Sequence, residues 1–194
     1  MRFNQNNPHF HNFTIEEYLA LEQASERRWE YWDGEIVCVN GIKIEHAIIS
    51  SNVMAAFSLQ VERPTHQVFG GLMPIKTLTL LPYRYPDLSV TGNDRQFERS
   101  NDRDILLNPM LVAEIIEPET EAADRNEKRC AYQAIPSLLE YLLSSCRLPH
   151  VTRYSRQDDG WQREDYGHLK AVIELPLFSC QLALADIYEG VIFA

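Results

Sequence analysis

Two carboxylates stand where carboxylates are costly. In "RYPDLSV" Asp87 opens an apolar run of strand type, and in "PMLVAEIIEPET" Glu114 is the single polar side chain within "LVAEII". A carboxylate in a strand core is partly desolvated, an expensive state unless a cation or hydrogen bonds compensate. The residues leave three compensations open: an arginine or lysine partner, an altered protonation state of the carboxyl, or a metal ion shared by both acids. Lys128, in "DRNEK", belongs to the helix expected after the Glu114 strand and could fold back to the strand end. It also follows Asp124 by four residues, the spacing of an exposed helical ion pair. A hard divalent cation such as Mg²⁺ is commonly held by one or two carboxylates while keeping several waters. With an ammonium group nearby, the chemistry such a pair supports is water attack on a phosphodiester, the cation polarising the phosphoryl oxygen and activating water.

Several elements must position these residues. Pro86 biases Tyr85 towards extended backbone and sets Asp87 at a strand end. In "LVAEII" alternation puts Val112, Glu114 and Ile116 on one face. Upstream, "FTIEEYLALEQAS" reads as a helix with a Thr14/Glu17 capping box, and "RRWEYWDGEIVCVNG" as a hairpin turning at Asp33-Gly34. A long amphipathic helix is expected over residues 45–62, stopping before Pro64. Short strand-type runs follow, "QVFGGLMPI" and "KTLTLL". The stretch "NDRQFERSNDRDILLNP" reads as a polar, charge-rich loop, longer than a simple connection requires. Its Arg95, Arg99 and Arg103, with Arg84 before it, offer local positive charge for phosphates, offset by Asp94, Glu98, Asp102 and Asp104. "EAADRNEKRCAYQAI" is the next helix, closed by Pro136. "LLEYLLSSC" is a core strand, "PHVTRYSRQDDGWQREDYG" a hairpin turning at Asp159-Gly160, and "ALADIYEGV" a short terminal helix. This order implies a mixed α/β domain, a sheet backed by helices.

The chain has 194 residues and a net charge of −10, which excludes broad electrostatic adhesion to nucleic acid or to an anionic membrane and leaves only local contacts. No apolar stretch has the length of a membrane span, and the start "MRFNQNNPHF" lacks the apolar core of a signal peptide, so a cytoplasmic protein is expected. Residues 1–12 are expected to be a flexible N-terminus and residues 13–194 a single domain. Cys38, Cys130, Cys146 and Cys180 stand far apart in apolar surroundings and read as buried free thiols. Trp29, Trp32 and Trp161 read as core. His66, His150 and His168 are scattered without the HExxH spacing of a zinc hydrolase.

The succession "RYPDLSV", "NPMLVAEIIEPET" and "DRNEKRCAYQAIPSLLEYLL", with "FTIEEYLALEQ", "YWDGEIV", "HAIISSNV" and "LALADIYEGV" around it, resembles the Uma-two family of bacterial restriction endonucleases, a branch of the PD-(D/E)XK nuclease superfamily. The resemblance implies a restriction-endonuclease-like fold, a mixed central sheet flanked by helices, here with an additional N-terminal helix and hairpin. It implies Asp87 and Glu114 as metal ligands, the backbone carbonyl of Ile115 as a further ligand, and Mg²⁺ or Mn²⁺ as cofactor. In the usual spacing the lysine would occupy position 116, which is Ile116 here; the chain resembles branches whose lysine has migrated to the next helix, at Lys128. Glu117 departs from the small serine that the family more often shows. Glu35 and His46 match recurrent family positions that line the cleft. The function so implied is a metal-dependent DNA endonuclease, Lys128 assisting water attack, with a homodimer favoured. A non-catalytic binding or regulatory homodimer on the same fold is the alternative, since a scaffold can lose its chemistry and keep binding.

Overall fold

The structure, a computed structural model, describes residues 9–10, 13–25, 28–32, 35–39, 43–62, 64–78, 83–100, 103–118 and 120–193. Strand β1 spans His9–Phe10, helix α1 Ile15–Ala24, strands β2 and β3 Arg28–Trp32 and Glu35–Val39, and helix α2 Ile44–Gln60. Strands β4 (Gln67–Gly70), β5 (Ile75–Lys76), β6 (Tyr83–Arg84), β7 (Leu88–Thr91), β8 (Phe97–Ser100), β9 (Arg103–Leu106) and β10 (Leu111–Ile116) follow. A helical segment comes next, built of α3 (Glu121–Ala123), a π-helical turn (Asp124–Lys128) and α4 (Arg129–Gln133). The chain continues through β11 (Glu140–Ser145), β12 (Val151–Gln157), β13 (Gly160–Tyr166), β14 (Val172–Leu175), a 3-10 turn (Pro176–Phe178), β15 (Cys180–Ala183) and α5 (Leu184–Ile187).

The centre is a six-stranded sheet in the order β13-β12-β11-β10-β7-β4. Only β10 and β11 are parallel in it; every other pairing is antiparallel, so the architecture is the mixed α/β type expected from the sequence. Strand β10 sits in the middle and is buried on both faces, which is why it reads as a nearly continuous apolar run. One face carries Leu111, Ala113 and Ile115 against Ile49, Val53 and Phe57 of α2 and against the β14–β15 hairpin. Ile49, Val53 and Phe57 recur at helical spacing, and each such side chain stabilises by roughly 1.5–3 kcal/mol when buried. The opposite face carries Val112 and Ile116 against Tyr132 and Ile135. Glu114 alternates onto this second face, the one covered by the segment that contains Lys128.

The capping box forms as expected: the Glu17 amide donates to Thr14 Oγ1 at 3.2 Å and the Thr14 amide to Glu17 at 2.8 Å. Strands β2 and β3 pair with Trp32 opposite Glu35; the expected turn at Asp33-Gly34 lies outside the described residues. Three expectations are corrected here, for the charge-rich stretch, the turn of one hairpin and the burial of Cys130. The charge-rich stretch is not a loop: β8 and β9 pair with Ser100 opposite Arg103 and complete a four-stranded sheet, order β6-β5-β9-β8. Their inward residues Ile105 and Leu106 supply the burial that the charged neighbours hide. The terminal hairpin turns one residue earlier than expected, at Asp158-Asp159, with Gln157 opposite Gly160. Gly160 takes φ +140°, a backbone region that side chains rarely adopt, directly after the turn instead of within it. Cys146 and Cys180 are buried free thiols, whereas Cys130 is exposed; the side chain of Cys38 lies outside the described residues. Trp29 is buried and Trp161 packs against the Tyr132 cluster, while the Trp32 side chain also lies outside the described residues.

Candidate metal centre

Strand pairing brings the two acids to one place. Leu88 of β7 lies opposite Ala113 of β10, so one further step of the antiparallel register sets Asp87 beside Glu114. Beyond that step β7 has ended, and the Ile115 amide, with no ladder partner on this side, donates to Asp87 Oδ2 at 2.7 Å. A strand residue directs its N–H and C=O to the same side, so the Ile115 carbonyl faces the Asp87 edge. The other Asp87 oxygen, Oδ1, lies 3.3 Å from His46 Nε2, in the first turn of α2. Burial by itself would lower the His46 pKa. The hydrogen bond and charge of Asp87, with the charge of Glu117, outweigh it and leave the imidazole above its ordinary value. Lys43, just before α2, reaches Glu117 Oε2 at 3.4 Å.

Glu114 is 4% exposed. Its Oε1 receives the Tyr132 O–H at 2.6 Å and lies 3.4 Å from Lys128 Nζ. Lys128 is closer to a second carboxylate, Asp124 Oδ1, at 2.9 Å, although no hydrogen bond reaches that oxygen among the described residues, so the contact is an ion pair off the hydrogen-bonding direction. The helical spacing of Asp124 and Lys128 is therefore used, but the pair is buried and not exposed. The backbone of the π-turn is anchored to the sheet, because the Tyr141 hydroxyl of β11 donates to the Asp124 carbonyl at 3.1 Å. Burial, then the charges of Glu114 and Asp124, hold that phenol well above its ordinary pKa, so it remains a donor.

Asp87 with Ile115 and His46, and Glu114 with Lys128, thus form two contact groups on neighbouring residues at the end of β10. Glu35 heads β3 opposite Trp32, and its side chain lies outside the described residues. Ile116 is buried with Tyr132 and Leu143, so no cation comes from the strand position where a lysine would stand. Two of the four arginines expected near phosphates are differently employed: Arg84 is buried and donates to the Tyr31 carbonyl at 2.6 Å, and Arg103 donates to the Tyr85 hydroxyl at 3.2 Å, while Arg95 and Arg99 are exposed. The sequence reading passed over Tyr132 and read Asp124 only as an exposed helix partner. The signal for both was their spacing around Lys128, at −4 and +4, on a helix that must lay one face on the sheet.

The donor chemistry fits a hard cation. Asp87 and Glu114 offer carboxylate oxygens, and two carboxylates suffice for Mg²⁺ or Mn²⁺. Among the described residues no group of three His, Cys, Asp or Glu side chains is placed to hold a metal. Burial, then the charges of Glu117 and Asp87, push the Cys146 thiol up to about 12.

At the end of its central strands the mixed sheet thus carries Asp87 on the Ile115 amide and a buried lysine, Lys128, against Glu114. Residues 15–185 match Uma2, described as "Putative restriction endonuclease", and the chain belongs to that family. Among its relatives, one uncharacterized protein of Synechocystis sp. is 30% identical over 95% of either chain. Another from the same organism is 28% identical over 75% of this chain and 82% of its own. The fold is shared with the crystal structure of a "putative nuclease belonging to DUF820" from Anabaena variabilis, with a TM-score of 0.73 at 20% identity, covering 93% of this chain and 99% of that one. No described helix is long and apolar enough to cross a membrane.

Proposed function

We propose that the protein is a metal-dependent DNA endonuclease in which Asp87, Glu114 and the Ile115 carbonyl hold Mg²⁺ or Mn²⁺. The observation that supports this reading is the seating of Asp87 on the amide of Ile115, the residue next to Glu114. Such a cation supplies Lewis-acid activation of a phosphoryl oxygen and of water. The chain's own residues supply the rest. The Ile115 amide and His46 fix the two oxygens of Asp87 and so the direction of its lone pairs. The Lys128 ammonium, beside Glu114, offsets negative charge that develops on the phosphate and orients the attacking water. A homodimer, suited to cutting both strands, belongs to the same proposal and is checked by sedimentation.

Calorimetric titration of Mg²⁺ and Mn²⁺ into the wild type, Asp87→Asn and Glu114→Gln, with plasmid cleavage on the same samples, tests the reading. Binding and cleavage by the wild type, both lost in each variant, are the expected result. A wild type that binds neither ion overturns it. One observation favours a second reading, a non-catalytic binding protein: His46 and Lys128 already contact the two acids. That reading predicts ion-independent DNA binding without cleavage.

A further inference from the structure

We infer that Tyr132 is a positioning residue for cation binding, fixing the Glu114 carboxylate through its hydroxyl; the inference rests on the metal-site reading above. The Tyr132 ring is fully buried and packs edge-on against Tyr141, centroids 5.3 Å apart, among Ile135 and Leu138. With the ring locked, the O–H can swing only within its plane of rotation, and it lies 2.6 Å from Glu114 Oε1. Lys128 is a poorer guide for that carboxylate, because its ammonium stands 3.4 Å from Glu114 and 2.9 Å from Asp124 and is shared between them. Charge and direction thus come from different residues one helical turn apart: Lys128 supplies the charge and Tyr132 the direction.

A buried tyrosine needs a partner for its O–H, and a backbone carbonyl serves, as the Asp124 carbonyl does for Tyr141. Tyr132 instead donates to an acid. A hydrogen bond to a carboxylate is shorter and roughly twice as strong as a neutral one, and it pins one oxygen and with it the carboxylate plane. Groups that orient metal-binding carboxylates from behind typically change metal affinity by about 10–100-fold when removed.

The test is Mn²⁺ affinity, read from the electron paramagnetic resonance of free and bound ion, in the wild type, Tyr132→Phe and Tyr154→Phe. Tyr154 belongs to the same aromatic cluster, stacked on Tyr141 at 6.1 Å, and serves as the control for loss of a core hydroxyl. The inference expects Y132F to bind Mn²⁺ about 10-fold more weakly or worse while Y154F binds as the wild type does. Unchanged affinity in Y132F, with only a lower melting temperature, overturns it and leaves the metal-site reading standing; equal weakening in both variants also overturns it. A wild type that binds no Mn²⁺ removes the metal-site reading and this inference together. Should Y132F fail to fold, wild-type protein carrying [¹³Cζ]tyrosine decides: Mg²⁺ must move the resonance of a buried tyrosine, and no movement among the nine tyrosines overturns the inference.

Discussion

Lys128 is the residue on which the buried charges balance. It stands between Glu114 and Asp124, both almost wholly buried, so its removal strands two carboxylates. Removing one partner of a buried ion pair typically costs about 3–5 kcal/mol, and Lys128→Ala is expected to fall in that range in urea unfolding. Adding Asp124→Asn to it should recover part of the loss, since one stranded charge goes; a double-mutant cycle measures this. His46 carries a different signature. Its folded pKa is raised by Asp87 and Glu117 against the effect of burial. A raised pKa means stability that is fully present below the unfolded value of about 6.5 and lost as pH rises through the folded value. The melting temperature of the wild type relative to His46→Gln should therefore shrink from acid towards alkaline pH; a difference independent of pH would contradict the pairing.

At the scale of elements, the π-helical turn decides the site. Such turns carry one residue more than an α-helical turn and often mark function. Asn126 lies on its exposed side, donating to the Ala122 carbonyl at 2.8 Å. Deleting Asn126 should let the segment wind as a regular α-helix, with helical circular dichroism retained, while shortening the Asp124–Lys128 spacing from four residues to three and so weakening their buried pair in urea unfolding. The capping box offers a contrast away from the site: Thr14→Ala is expected to cost about 1 kcal/mol without changing ion affinity. These two elements also show what the sequence could disclose. Thr14, Asp87 and Glu114 were legible because each breaks or closes a local pattern, a cap or an alternation. The π-turn was not, because its residues "DRNEK" carry ordinary helical spacing, whereas a contact from the sheet, Tyr141 to the Asp124 carbonyl, helps to hold it. Tyr132 was hidden for a related reason: on an apolar helix face a tyrosine looks like core, and only the fold reveals the carboxylate beneath it. Strands β8 and β9 were masked by their charge, although "QFERS" and "RDILL" each carry large apolar residues among the charges.

For the whole molecule, the net charge of −10 and the engagement of several of its arginines limit contact with a polyanion. Arg84 serves Tyr31, Arg153 bridges Glu140 and Glu164, Arg125 is paired with Glu121 and Arg163 with Asp165. Few phosphates can then be neutralised, so DNA binding by the Asp87→Asn protein should depend on salt with a log–log slope no steeper than about −4. A steeper slope, measured by anisotropy titration, would reveal a basic surface that these pairings do not leave. A parallel pair such as β10–β11 needs a crossover between its strands, and here the crossover carries Lys128 and Tyr132, the latter 18 residues from Glu114. Short loop closure makes that unit cheap to assemble, whereas β2 and β3 pack around Tyr18 and Tyr31 in a separate cluster. Native-state hydrogen exchange should accordingly find the amides of β10, α4 and β11 released in one cooperative opening, and those of β2 and β3 in a smaller one. The unit that carries Glu114, Lys128 and Tyr132 would then outlast the N-terminal sheet during partial unfolding.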